Sequence, residues 1–356
     1  MKKLLILQTV SPDYRKKVFQ YIKNNLGNSF NLYSGYEYFE NSVKTDRSIP
    51  FLKPVNNHFL LNRKFLFQTG MWKEAFNNEV LVLEMNPRIL SNWILLFLRN
   101  FSSKKTILWG HAWPRNGKDS RSDKVRNLMR SLASEIIVYT KTQAKELQEK
   151  MPEKIIRSAP NSVFNRIEMQ ASQRTEKDIN DIIYVGRLTK AKKPIFLVKA
   201  FIKVIEKLPQ ETKLIIVGEG EEKSKIEELV SKKYLKNRIK VLGHIGEYDK
   251  LKELYSKSLF SVSPGYVGLS ITQSFGFGVP MLISKDENHS PEIEAAEKDK
   301  NALFFITDDI DDLNIKMTDF FKRKSFWINQ KNNICNICIE NYSVERMAET
   351  FIDLSK

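Results

Sequence analysis

The second half of this chain alternates with a regularity that leaves few folds open. Short apolar runs at 182–185, 213–217, 239–242, 259–262 and 281–284 are separated by helix-patterned stretches at 194–208, 221–231, 248–255 and 270–277. Strands buried on both faces read as continuous apolar runs, and parallel strands need a helical crossover between them. The pattern therefore predicts a parallel sheet with helices on both sides. The first half alternates as well, with strands expected at 3–9, 30–33, 80–83, 106–109 and 135–139. Helices are expected there at 14–26, 88–100, 120–133 and 142–150. Residues 36–79 give no clear pattern.

The chain has 356 residues, which favours two domains over one core. The polar stretch 165–180 is the natural divide. The expectation is an α/β protein with two Rossmann-like domains, 1–165 and 166–339, and a C-terminal helix at about 340–356 able to pack back on the first. With 42% hydrophobic and 28% charged residues, both disorder and a fibrous repeat are excluded. The two cysteines, Cys335 and Cys338, have no second pair, which excludes a disulfide scaffold and a four-ligand zinc site. Ile334, Ile337 and Cys338 fall at helical spacing, so the pair reads as helix residues rather than a redox motif. The apolar run after Lys2-Lys3 ends at Gln8, too soon for a signal peptide, and reads as a buried strand. The run 93–98 is far shorter than a membrane span needs, and the chain is expected to be cytoplasmic.

Charge is unevenly placed. Residues 1–165 hold 27 Lys+Arg against 13 Asp+Glu, a net +14, while 166–356 hold 31 against 29, a net +2. An excess confined to one half suggests an anionic partner there, with a merely soluble basic surface as the alternative. Lys118, Arg121, Lys124, Arg126 and Arg130 share a segment in which Val125, Leu128, Met129 and Leu132 are helically spaced. Arg63 and Lys64 lie in a second basic and apolar mixture. Both are expected to rest on an anionic membrane surface, although the helical stripe could equally be core. Zinc-finger and RRM signatures are absent, and nucleic acid is not expected as a partner.

Four motifs follow strand ends in the second half, where open α/β sheets bind their ligands. Gly186-Arg187-Leu188-Thr189-Lys190-Ala191-Lys192 offers a tight turn and two cations, Arg187 and Lys192, for a phosphate. Gly218-Glu219-Gly220 can hold a nucleotide or simply turn the chain. Ser263-Pro264-Gly265-Tyr266-Val267-Gly268-Leu269-Ser270 runs into a helix, with Ser270 a candidate N-cap and the amides after Gly268 a candidate anion site. His289-Ser290-Pro291-Glu292 places a carboxylate, Glu292, after the next strand. Solvated loop residues or ordinary turns are the alternatives for each. In the first half, His111 follows the strand at 106–109 and can transfer a proton or hold a hydroxyl, a structural histidine being the alternative. Glu84 closes the strand at 80–83 and could face the ligand-binding cleft, and Arg15 lies in the first strand-to-helix loop, where it could meet a phosphate or simply be solvated. No carboxylate–histidine cluster has metal-ligand spacing.

Taken in order, these motifs resemble the donor half of GT-B glycosyltransferases of family 4. That resemblance implies two Rossmann-like domains facing across a cleft, with the acceptor on the first and a nucleotide-sugar, UDP- or GDP-linked, on the second. Arg187 and Lys192 would contact the donor diphosphate, Gly268 and Leu269 would present amides to it, and Tyr266 and Ser270 lie in the same loop. Glu292 matches an acidic position near the donor sugar. The family's paired glutamates are replaced here by Gly265 and Gln273. Gln273 can still bond a ribose hydroxyl; Gly265 supplies no carboxylate. The resemblance further implies a retaining transferase without a bound metal or other cofactor, extending a glycan or polyprenyl-diphosphate-linked acceptor in surface-polysaccharide synthesis on the inner face of the plasma membrane. A non-catalytic GT-B subunit, a sugar-nucleotide epimerase of the same architecture and a basic nucleic-acid-binding protein are the rival readings.

Overall fold

The computed structural model describes residues 2–40, 43–114, 117–118 and 120–356. Chain contacts divide into two compact units, Met1–Val163 together with Tyr342–Lys356, and Phe164–Asn341.

The first unit begins with β1 (Leu4–Gln8), α1 (Lys16–Leu26), β2 (Phe30–Ser34) and β3 (Leu52–Pro54). Next come β4 (Asn56–Leu60), β5 (Phe65–Thr69), α2 (Trp72–Asn77), β6 (Val80–Glu84) and α3 (Leu90–Arg99). It continues with β7 (Lys105–Trp109), α4 (Asp123–Ser131), β8 (Glu135–Val138), α5 (Lys141–Lys150) and β9 (Ile155–Ser158). Seven of these strands form one parallel sheet in the order β3-β2-β1-β6-β7-β8-β9. All five residues of β1 are buried, as a central parallel strand requires. Val18, Phe19, Ile22 and Leu26 give α1 its apolar stripe on one face of the sheet. Leu95 and Leu96 of α3, Met129 of α4 and Leu147 of α5 fill the core on the other face. The unassigned stretch 36–79 contains the antiparallel hairpin β4-β5. Its tip, Leu61-Asn62-Arg63, takes three successive left-handed conformations, and β5 packs against α3.

The second unit opens with β10 (Asp181–Val185), α6 (Pro194–Val204), β11 (Leu214–Val217) and α7 (Lys223–Lys232). It goes on through β12 (Ile239–Val241), α8 (Tyr248–Ser256), β13 (Ser258–Ser263) and α9 (Ser270–Gly276). β14 (Met281–Ser284), β15 (Ala302–Phe305), α10 (Ile310–Lys322) and α11 (Lys324–Tyr342) complete it. All six strands are parallel, in the order β12-β11-β10-β13-β14-β15. The order reverses direction between β10 and β13, the point where such sheets open a crevice at their carboxyl ends. The expected strands are all present; β15 is an additional one.

Beyond α11, α12 (Val344–Ile352) returns to the first unit, where Val344, Met347, Ala348 and Phe351 are buried beside α1. The Phe351 ring sits 4.7 Å from that of Trp109. Ser343 caps α12 by accepting a 3.2 Å hydrogen bond from the Arg346 amide. The helix expected over 120–133 is shorter, and two of its cations do not face solvent. Arg130 is fully buried, paired with Asp123 at 2.9 Å, and Arg126 donates to the Met85 carbonyl at 2.9 Å. Cys335 and Cys338 are buried on α11, their thiols directed at the Gly276 and Thr272 carbonyls of α9. Burial pushes the Cys335 thiol up to about 11, so it stays protonated and unreactive. Among the described residues no helix is long and apolar enough to cross a membrane.

Candidate active site

Three loops meet at the reversal point of the second unit. The loop after β10 is pinned from below: the Gly186 amide donates to Val217 at 3.0 Å, and the Tyr184 hydroxyl donates to the Arg187 carbonyl at 2.8 Å. A β-carbon on Gly218 would lie 1.9 Å from the Gly186 carbonyl oxygen, and one on Gly220 would lie 2.4 Å from that of Leu188. The Gly218 amide is already given to Gly243 at 2.8 Å. Gly218, expected to bind the nucleotide, is buried, and its lack of a side chain lets β11 pass beneath the cation loop.

The two cations converge on Tyr266. Arg187 Nη2 donates to the Tyr266 hydroxyl at 2.8 Å, and Lys192 Nζ donates to the Tyr266 carbonyl at 2.7 Å. The same ammonium lies 3.5 Å from the centre of the Tyr266 ring, a close cation–π contact. Burial, and then the charge of Arg187, push Lys192 down to about 8, with Glu292 acting in the opposite direction. A partly desolvated ammonium beside a guanidinium is an electropositive centre that an anion would relieve.

Gly265 is buried, and a β-carbon there would stand 2.3 Å from the Ala191 carbonyl oxygen and 2.9 Å from the Lys192 α-carbon. A glutamate cannot occupy this position while the 190–192 turn, which carries Lys192, packs so closely. Glycine at this position, expected to touch the donor, permits that packing. Gly268 lies in a more open place, where a β-carbon would be 3.6 Å from Ser290 Oγ and 3.9 Å from Lys192 Nζ. The loop then enters α9. Ser270 is not the N-cap; Leu269 holds that position, and no side chain caps the helix. The first-turn amides of a helix have no intrahelical acceptor. Gln273 sits on α9, half-buried, and its amide donates to the Leu269 carbonyl at 3.0 Å.

His289 ties the third loop to the second, a role the sequence reading missed. Its Nδ1 accepts from the Val267 amide at 2.9 Å while its Nε2 lies 2.9 Å from the Ser284 carbonyl. Only the neutral tautomer protonated at Nε2 satisfies both bonds. Burial pushes its pKa below the usual histidine value. The Ser290 amide adds a 3.0 Å bond to the Val267 carbonyl. Glu292 is buried in the following 3-10 turn, Pro291–Ala295, close enough to act electrostatically on Lys192. The hint in the sequence was a histidine two residues before the proline that precedes that glutamate.

A second polar group occupies the carboxyl end of the first unit's sheet. His111 is exposed, with its ring edge-on to Tyr139 at 4.8 Å. Its loop is fixed by Arg130, which donates to the Ala112 carbonyl, and by Trp113, whose indole donates to Glu146 at 2.7 Å. Arg15 bonds Gln8 at 2.7 Å and Tyr139 at 2.8 Å and lies over Trp109 at 4.4 Å, so its terminal nitrogens already have partners within the unit. Arg15 thus braces the sheet end rather than standing ready for a phosphate. Glu84 accepts from the Thr9 amide at 2.7 Å and hydroxyl at 2.8 Å, and burial raises its pKa. Among the described residues no three His, Cys, Asp or Glu side chains gather as a metal site would require.

The loops of the second unit all fall inside a segment with known relatives. Residues 165–341 match the family of glycosyl transferases group 1. The matched segment spans the cation loop, the tyrosine loop, α9 and the His289 turn. An uncharacterized glycosyltransferase of Methanocaldococcus jannaschii is 28% identical over 223 residues, 55% of this chain and 51% of that protein. The chain spans about half the length, or less, of the curated relatives it matches. Among solved structures, HepE of Anabaena in complex with UDP is similar, with a TM-score of 0.71 and 13% identity over 99% of both chains. A glycosyltransferase of Rickettsia africae gives a TM-score of 0.70 at 13% identity, covering 100% of this chain and 98% of that one. At such identity the likeness is one of fold. The fold is GT-B, α/β with two Rossmann-like domains.

Proposed function

We propose that the chain is a glycosyltransferase that takes a sugar from a nucleotide donor bound by its second unit. The observation that carries this reading is the convergence of Arg187 and Lys192 on Tyr266 at the reversal between β10 and β13. Two cations and the first turn of α9 are what a departing nucleoside diphosphate needs. Charge that develops on a leaving group is stabilised most by donors already in place. The complexes of the structural neighbour HepE with UDP and with UDP-glucose support a uridine nucleotide. Gln273 serves the ribose in this reading, and Gly268, Leu269 and Ser270 offer amides to the diphosphate. Glu292 and His111 serve the reacting sugar, and the reaction retains configuration without a bound metal. The acceptor, a glycan or polyprenyl-diphosphate-linked sugar of a surface polysaccharide, belongs to the first unit, which rests on the inner membrane face.

Thermal melting with UDP, GDP and CMP tests the donor site. A ligand at about 100 times its Kd stabilises by about 2.7 kcal/mol, so the correct nucleotide raises Tm visibly. Arg187→Ala and Lys192→Ala are each expected to remove that shift and to lower turnover by about 100-fold, or about 2–4 kcal/mol of transition-state stabilisation. A wild-type protein that no nucleotide stabilises overturns the reading. Binding without sugar transfer would favour the non-catalytic subunit, a reading to which the crowding at Gly265 lends weight.

A further inference from the structure

Two exposed apolar patches lie on helices that cover the same face of the first unit's sheet. On α3 and just beyond it, Ile94, Phe97, Leu98 and Phe101 repeat at the spacing of one helical face, and all four are exposed. The opposite side of the same helix already supplies Leu95 and Leu96 to the core. The outward stripe is therefore additional apolar surface, not the helix's packing face. Phe97 is 55% and Phe101 75% exposed, and their rings stack edge-on at 5.2 Å. Helices α3 and α4 are successive crossovers on the same face of the sheet, and α4 exposes Val125 and Leu128, the latter by 60%. On its other flank α3 packs against β5, whose hairpin tip exposes Leu61.

Among the described residues of α3, α4 and the segment 100–106, the solvent-accessible charges are all cationic. Lys124 on α4 and Arg121 and Lys118 just before it are exposed. Neither α3 nor residues 100–106 contain a carboxylate, and the single acid of α4, Asp123, is buried between Arg130 and Lys150. An apolar stripe on helices whose accessible charges are cations suits a surface of anionic headgroups over acyl chains, which buries aromatic side chains shallowly and attracts lysine and arginine.

We propose that the outward face of α3, continued by α4, is the surface by which this protein docks on an anionic lipid bilayer, without spanning it. The proposal rests on the reading of a transferase working at a membrane, and gives that membrane its seat. Its test uses the full chain with vesicles of phosphatidylcholine alone and of phosphatidylcholine mixed with phosphatidylglycerol. Wild type is expected to float with the anionic vesicles at low salt, less at high salt, and hardly with neutral ones. The double variant Phe97→Ser, Phe101→Ser removes two exposed rings and should bind roughly a hundredfold more weakly, since each ring contributes on the order of tenfold when buried. Arg121→Glu with Lys124→Glu should lose most of the salt-sensitive part. Both variants are at exposed positions and keep the nucleotide-dependent rise in Tm. Wild type that ignores anionic vesicles, variants that bind like wild type, or a stripe that pairs two copies of the chain in light scattering would each overturn the proposal. Vesicle binding by a protein that no nucleotide stabilises would leave the docking surface standing and remove the transferase reading.

Discussion

Lys192 is the residue whose environment makes the sharpest demand. Its ammonium is held near 8 because burial and Arg187 both disfavour the charge, and only Glu292 offsets them. A bound diphosphate would reverse that balance and draw a proton onto the amine. UDP affinity is therefore expected to fall as pH rises through about 8. At that pH, calorimetry in buffers of different ionisation enthalpy should register proton uptake on binding. Lys192→Arg, which stays charged, should flatten the profile; an affinity unchanged between about pH 7 and pH 9 would remove Lys192 from the nucleotide site. Lys192 drew attention in the sequence because it and Arg187 share one loop after an apolar strand, although two solvated loop cations would give the same pattern. The roles of Gly265 and Gly218 were not legible there. Their reason for being glycine is the approach of another backbone segment, distant by dozens of residues, and no local pattern records such a contact.

At the scale of elements, the tyrosine loop depends on a bond from outside itself. His289 holds the Val267 amide only while Nδ1 keeps its lone pair. In the unfolded chain this histidine would titrate near 6.5, whereas burial, with Lys192 adding to it, lowers its folded pKa against the opposing pull of Ser284 and Glu287. The unfolded state thus takes up the proton first, and stability drops as pH falls below about 6.5. Melts between about pH 7.5 and 5.5 should show this, and His289→Gln should start lower yet lose less on acidification; equal slopes in the two proteins would refute it. Periodicity exposed most elements of both sheets because a parallel strand is apolar throughout. It missed the β4-β5 hairpin, whose outward polar residues break the run, and also the edge strands β9 and β15. It also left the outward face of α3 unread. In Leu90–Arg99 apolar residues occupy every side of the helix, and only the position of the sheet decides which of them are core.

For the whole molecule, the informative fact is that the first unit is not continuous in sequence. Val344, Met347, Ala348 and Phe351 arrive from beyond the second unit to close the core around Phe19, Ile22 and Trp109. Losing buried residues of this size costs about 2–5 kcal/mol each. A chain ending at Tyr342 should therefore lose the melting transition of its first unit and become protease-sensitive there. The second unit, Phe164–Asn341, lacks none of its own strands and should keep its UDP-dependent shift. A first unit that melts in the shortened chain as it does in the intact one would show that α12 contributes little.

That discontinuity also sets a timetable. At the usual pace of about 5–20 residues per second, a ribosome needs roughly ten to forty seconds to advance from the first crossing to the second. Throughout that interval the nascent amino-terminal half has an uncovered flank where α12 will later sit. The segment made second can finish folding before the segment made first. Such a chain would lean on holding chaperones during synthesis, and slower translation of its middle would lengthen the time it spends incomplete.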